Sequence, residues 1–316
     1  MHDFYHAEDC LTANALLDFR ANGHAIEVVR TVHHVEAFED RYLARCQERS
    51  IRQARLCLTV SDATTTDVWL RFGVSARRIT NGVSFERFAR VDGQRIEAWA
   101  RRIDTHAGPV LLAVGGVEER KNTLRVLRAF GRVRARYAGA KLVILGGATV
   151  LDHGAYRAEF DRELDALPAA TRAAVVELGV IAEEDVPALF RLASALTFPS
   201  LHEGFGLAAL EALAAGLPVV APRCAPFTEF LDDSCATLVD PLSEESIAAG
   251  IRRALDTPVA QRETMREEGR RRAAARSWER VAALHVELYC GLSSPVPATE
   301  LRFTGGTSKE ARACPR

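Results

Sequence analysis

Short β-branched apolar runs alternate along the chain with longer stretches of helical periodicity, which predicts α/β units built on parallel sheets. In the first part, residues 26–31 and 56–60 read as buried strands, His6 closes an earlier one, and residues 40–53 and 64–72 read as helices. Asn81-Gly82 is a turn signal. The stretch 91–108 is polar and dense in charge, and it predicts a linker between two domains. A second α/β series starts at Pro109. Residues 110–114 form a strand ending in Gly115-Gly116, Asn122 or Thr123 caps a helix over 124–136, and the strand 141–145 ends in Gly146-Gly147. Residues 175–178, 195–198 and 218–221 are strand-like. Residues 243–255 and 265–276 read as surface helices and 278–289 as an amphipathic one, before an aperiodic tail over 291–316 that reads as disordered. Strands ending in Gly-rich turns put backbone amides at the carboxyl edge of a parallel sheet, where open α/β sheets bind ligands.

Composition narrows the function classes. Of the 316 residues, 48% are hydrophobic and 26% charged, the profile of a globular protein large enough to bury a core. Lys plus Arg is 41 against 42 for Asp plus Glu, so no general electrostatic pull toward nucleic acid is expected. Seven cysteines, an odd number without a CxxC pair, argue against a disulfide framework or a zinc site and predict reduced thiols in a cytoplasmic protein. The first residues lack the charged-then-apolar pattern of a signal peptide. No apolar run reaches the length of a membrane span; the longest candidate, 207–220, carries Glu211 in its middle. A basic segment over 262–280 suggests peripheral contact with acidic headgroups, but the glutamates mixed into it favour a solvated surface.

The stretch Phe198-Pro199-Ser200-Leu201-His202-Glu203-Gly204-Phe205-Gly206-Leu207 holds the most chemistry. A strand ends at Phe198, Gly204 and Gly206 make a tight turn, and a helix follows from Leu207 until Gly216 and Pro218 close it. A helix N-terminus presented by glycines suits an anion, because unpaired N–H groups and the dipole both favour negative charge. Glu203 lies in the turn and Glu211, eight positions on, lies in the helix among Leu207, Ala208, Leu210 and Leu213. A carboxylate on the buried side of such a helix needs a hydrogen-bonding partner, and a ribose diol would serve. The competing account makes Glu203 a helix-dipole residue and Glu211 a solvent-facing one.

Glu203 to Glu211, with Gly-Phe-Gly-Leu inside, resembles the E-x7-E signature of the GT-B glycosyltransferases of family 4, the group 1 enzymes. Asn81-Gly82-Val83, Val114-Gly115-Gly116 through Lys121-Asn122, Leu178-Gly179-Val180-Ile181 and Gly216-Leu217-Pro218-Val219-Val220-Ala221 agree with that family in order and spacing, over roughly residues 78 to 290. The resemblance implies a GT-B fold, two Rossmann-like parallel-sheet domains facing a cleft. It implies Glu203 beside the donor sugar, the amides of Gly204, Phe205, Gly206 and Leu207 on sugar hydroxyls or phosphate, and Glu211 on the ribose. Ile181 falls beside the base, Gly115 and Gly116 in the first loop, and Lys121 on the diphosphate. Where the family often has Arg, this chain has Gly116; Arg120 either supplies the second positive charge or is solvated. His33 matches a Thr-x-His facing the donor sugar, with a positioning role.

The implied activity is that of a retaining hexosyltransferase. It would use a UDP- or GDP-linked sugar and a hydroxyl acceptor, with no metal ion and no cofactor. The implied domains are a partial acceptor-side domain over 1–90, the linker 91–108, a nucleotide-sugar domain over 109–276, a crossover helix over 277–290 and the tail. Since about 90 residues is half the usual acceptor domain, the resemblance also implies a truncated first domain and impaired activity. An inactive nucleotide-sugar-binding module and a GT-B nucleotide-sugar epimerase are the alternatives.

Overall fold

In the computed structural model, residues 4–147 and 154–293 are described. The chain forms two compact units. The first unit joins residues up to Gly82 with the helix Trp278–Ser293. Its strands, β1 (Phe4–Ala7), β2 (Glu27–Val32), β3 (Leu56–Thr59) and β4 (Arg77–Arg78), pair in parallel in sequence order. Each connecting helix starts at a side-chain cap. Asp9 accepts from the Thr12 amide ahead of Cys10–Ala21, Asp40 from Tyr42 and Leu43 ahead of Arg41–Gln53, and Ser61 from Thr64 ahead of Asp62–Phe72. The helix Trp278–Ser293 lays Val281 and Leu288 onto Val29, Leu58 and Ile79, a contiguous apolar contact that explains why this last helix belongs with the first unit.

The second unit runs from Val83 to Ser277. Its strands are β5 (Val110–Val114), β6 (Lys141–Leu145), β7 (Val175–Gly179), β8 (Ala195–Thr197), β9 (Val219–Pro222) and β10 (Thr237–Val239). The order is β10-β9-β8-β5-β6-β7, parallel throughout. The chain builds outward from β5 to β7, then crosses back to lay β8 on the other side of β5. That reversal opens a crevice between the loops leaving β5 and β8, the place where open α/β sheets bind ligands. The helices Thr123–Arg134 and Glu244–Asp256 cover the sheet with Leu127, Phe130, Val133, Ile247 and Ile251, all fully buried. Each such side chain contributes about 1.5–3 kcal/mol relative to exposure.

The two parallel-sheet units agree with the expected α/β class. Several local expectations change. Residues 91–108 are no linker: they hold the helix Gly93–Ile103, capped by Asp92, with Trp99 and Ile103 buried. Lys141 Nζ donates to the Ile103 carbonyl at 2.6 Å, fastening that helix to the second unit. The units therefore part at Gly82 and again before Trp278. The helix Cys10–Ala21 and the short β10 had no counterpart in the sequence reading. Residues 291–293 finish the last helix, and the remainder of the expected tail lies outside the described residues. Cys10, Cys46, Cys57, Cys235 and Cys290 are free thiols. No helix among the described residues is long and apolar enough to cross a membrane.

Candidate functional site

The loop leaving β5 is fixed by glycine. Gly115 takes φ +113°, open to glycine at little cost, and a Cβ there would lie 2.4 Å from Lys121 Cε. The bare backbone thus lets the lysine stem fold over the loop. The amides of Gly115 and Gly116 both donate to the Leu145 carbonyl, at 2.7 and 3.0 Å. These two glycines therefore offer a ligand close approach rather than free donors. Farther on, Asn122 adopts a left-handed conformation, φ +61°. It does not cap the following helix with its side chain. Instead its Nδ2 donates to the carbonyls of Pro199 at 3.0 Å and Pro241 at 2.7 Å. The Leu201 amide donates to the Arg120 carbonyl at 2.9 Å. The loops after β5 and β8 are laced together on both sides of Lys121.

That lacing brings the charged residues into one cluster. Lys121 Nζ donates to Glu203 Oε1 at 2.6 Å, with side chains only 13% and 10% exposed. Arg120 reaches the same oxygen at 3.4 Å and Glu118 Oε2 at 3.3 Å, and Glu118 is buried. Lys121 Nζ also sits 4.8 Å from the centre of the Phe198 ring, a favourable cation–π placement. Burial pushes the Lys121 ammonium below its ordinary range, while the Glu203 carboxylate opposes that shift.

Beside the cluster the nine-residue helix Leu207–Ala215 begins. The amides of Phe205, Gly206 and Leu207 have no hydrogen-bond acceptor among the described residues. The Phe205 ring stacks on Phe230, centroids 5.1 Å apart, which anchors the turn from below. Gly206 takes φ +97°, and a Cβ would lie 2.7 Å from the buried Phe227 ring. Gly206→Ala combines a left-handed strain with overpacking, so about 2–4 kcal/mol of stability should be lost. Denaturant unfolding of the variant reads this directly; a loss under about 1 kcal/mol would mean the turn is not held as described.

Glu211 lies on that helix with no side-chain hydrogen bond among the described residues. Burial raises its carboxyl to about 7; Arg87 opposes the rise and Glu183 adds to it. Arg87 is itself committed to Glu183, at 2.9 Å. A half-buried acid with a raised pKa and no hydrogen-bond partner among the described residues is a candidate functional group. Ile181 follows β7 and is half-buried. His33 belongs to the first unit, where Nε2 meets Glu8 Oε2 at 2.9 Å. That hydrogen bond is the main reason the Glu8 carboxyl lies below its ordinary range. Next to it His6 bridges Thr31 and Tyr289. The Asn122 lacing and Glu8 went unread in the sequence because each acts through a partner distant along the chain; Glu118 went unread although its partner Arg120 lies only two residues on. Among the described residues no set of three or more His, Cys, Asp or Glu is arranged to hold a metal ion.

Several known proteins are similar to this chain. A mannosyltransferase of Mycolicibacterium hassiacum, named MMP alpha-(1->4)-mannosyltransferase, is 29% identical over 91% of this chain and 70% of its own length. A glycogen synthase of Mycobacterium tuberculosis is 29% identical over 91% of this chain and 68% of its own. Among solved structures, sucrose-phosphate synthase from Thermosynechococcus elongatus superposes with a TM-score of 0.76 at 23% identity, covering 92% of this chain and 74% of that one. The Anabaena protein HepE, in complex with UDP and glucose, superposes with a TM-score of 0.77 at 19% identity, covering 93% and 78%. At these identities the structures establish the fold, which is GT-B. Residues 96–272, more than half of the chain, match the family described as glycosyl transferases group 1, and the chain belongs to that family.

Proposed function

We propose that this glycosyltransferase moves a hexosyl group from a nucleotide-diphosphate sugar to a hydroxyl acceptor, with retention of anomeric configuration and without a metal ion. The observation that carries the reading is the pairing of a buried Lys121–Glu203 cluster with the open N-terminus of the helix Leu207–Ala215 at the strand-order reversal. A departing nucleoside diphosphate gathers negative charge as the glycosidic bond breaks. A fixed ammonium and aligned amides stabilise it most when that charge is greatest. Lys121 and Arg120 take the diphosphate, the amides of Phe205, Gly206 and Leu207 take phosphate or sugar hydroxyls, and Glu203 lies by the donor sugar. Glu211 accepts from the ribose hydroxyls, Ile181 flanks the base, and Gly115 and Gly116 admit the diphosphate closely. The acceptor oxygen bonds to the anomeric carbon on the face the diphosphate leaves. The departing phosphate oxygen takes the acceptor's proton, so no separate protein base is required.

The solved relative HepE in complex with UDP-glucose supports a uridine donor. Calorimetric titration of the intact chain with UDP and GDP, each in the presence of a chelator, tests the reading. UDP is expected to bind in chelator and GDP more weakly. A folded chain that binds neither nucleotide would sink the assignment of the donor site.

A further inference from the structure

A second charged cavity opens at the opposite edge of the six-stranded sheet. It is open to solvent, has a volume of about 420 Å³ and is lined by Pro109, Ser194 and Pro218, the residues just before β5, β8 and β9, and by Arg191, Arg262 and Arg266. The catalytic reading uses none of these residues. Arg262, Arg266 and Arg270 follow one another at intervals of four on the helix Val259–Ala274, so they share a face and repel one another. Arg270 packs against Gly216, which also lines the cavity.

Part of this positive charge is answered locally. Arg191 donates to the Ala215 carbonyl at 3.0 Å and Arg262 to the Thr257 carbonyl at 2.9 Å, each at a helix C-terminus. Arg266 pairs with Glu263 at 2.7 Å. Arg270 has no hydrogen bond among the described residues. The Nε groups of Arg262, Arg266 and Arg270 are all buried without acceptors. Burial, and then the neighbouring Arg266 and Arg191, push the Arg270 guanidinium below its ordinary range, with Glu263 alone opposing them. Among the described residues Arg270 thus faces two further guanidiniums and one carboxylate, and helix C-termini supply only partial negative charge. Buried N–H donors without acceptors are costly.

We propose that this cavity binds a small organic phosphate monoester, its dianionic phosphate held by Arg266 in the cavity wall and by Arg270, which borders the wall at Gly216. A phosphate carries two charges and three terminal oxygens, which suit paired guanidinium forks better than a single carboxylate does. The cavity lies within the range of roughly 300–1,000 Å³ typical of small-molecule sites, so it has room for the organic group as well. This inference is independent of the donor site.

Titration calorimetry of the intact chain with glycerol 3-phosphate and with glucose 6-phosphate tests it, against the Arg266→Gln/Arg270→Gln double variant. Retained UDP binding serves as the control for folding and separates this site from the donor site. Binding to the intact chain, weakened at least about tenfold in the double variant, is the expected result, a difference of about 1.4 kcal/mol. If the double variant loses UDP binding too, Arg270→Lys replaces it; that variant keeps the charge but not the fork, and weakened ester binding with UDP binding intact is again expected. Sedimentation with phosphatidylcholine vesicles, with and without phosphatidic acid, separates the sources of the phosphate. Arginine-dependent capture by the acidic vesicles alone identifies a lipid headgroup as the monoester. Failure of every phosphate monoester to bind the intact chain, or equal binding by the arginine variants, would overturn the proposal.

Discussion

Replacing Lys121 by alanine is expected to lower turnover by about 10²–10³-fold, the usual cost of deleting one group aimed at developing negative charge. The same change should destabilise the protein without ligand. Glu203 is 10% exposed and would keep only Arg120, at 3.4 Å. Removing one partner of a buried ion pair typically costs about 3–5 kcal/mol, and Arg120 should hold the loss toward the lower figure. The two effects separate in a Lys121→Met/Glu203→Gln double variant. Removing both charges should restore most of the stability and none of the turnover, because the penalty of an orphaned carboxylate is gone while the cation is still missing. Lys121→Arg should not rescue activity, since the stem is pressed against Gly115 and a planar fork does not fit that path. Denaturant unfolding and steady-state transfer assays on the same samples read both quantities. Full turnover in Lys121→Ala would remove this residue from the diphosphate site.

The second large effect is a dependence of nucleotide affinity on pH. Burial holds the Glu211 carboxyl at about 7 in the free protein, whereas ribose hydroxyls donating to it favour the carboxylate. Binding therefore releases a proton below neutrality, and UDP affinity should rise as pH climbs from about 5.5 to above 7, then level off. The released proton appears in calorimetry as a binding enthalpy that varies with the ionisation enthalpy of the buffer. Glu211→Gln should weaken binding by about 1–3 kcal/mol and abolish the buffer dependence. Stability moves the other way. A carboxyl raised in the folded state contributes stability that is fully present below the unfolded pKa, near 4.3, and is lost as pH rises through about 7. Across that window the free protein should lose up to about 3 kcal/mol through this one group, and Glu211→Gln should not. A pH-independent UDP affinity in the native chain would exclude Glu211 from the ribose.

The sequence made β5 through β9 and their Gly-rich ends readable because strand length, β-branching and turn residues are local signals. The helix Gly93–Ile103 carried its signal too: Ile96, Trp99, Ala100 and Ile103 stand at helical spacing. A high density of Arg and Glu on its other face made the stretch look like a linker. The unpartnered Glu211 was partly legible, as a single acid on an otherwise apolar helix. The Lys121–Glu203 pair was not, since its members lie 82 residues apart and meet only because β8 crosses back to β5. The spent amides of Gly115 and Gly116 were equally hidden, for they depend on the Leu145 carbonyl of the neighbouring strand.

Val83 and Ser277, the first and last residues of the second unit, pair with each other, and the Val83 amide donates to the Arg276 carbonyl at 2.9 Å. The chain thus leaves and re-enters the first unit at adjacent points. Topologically, the second unit is an insertion spliced into one connection of the first. Such a segment has natural cut points at both ends, so changes confined to residues 83–277 can accumulate or be exchanged as a block without breaking the strand pairing of β1 through β4.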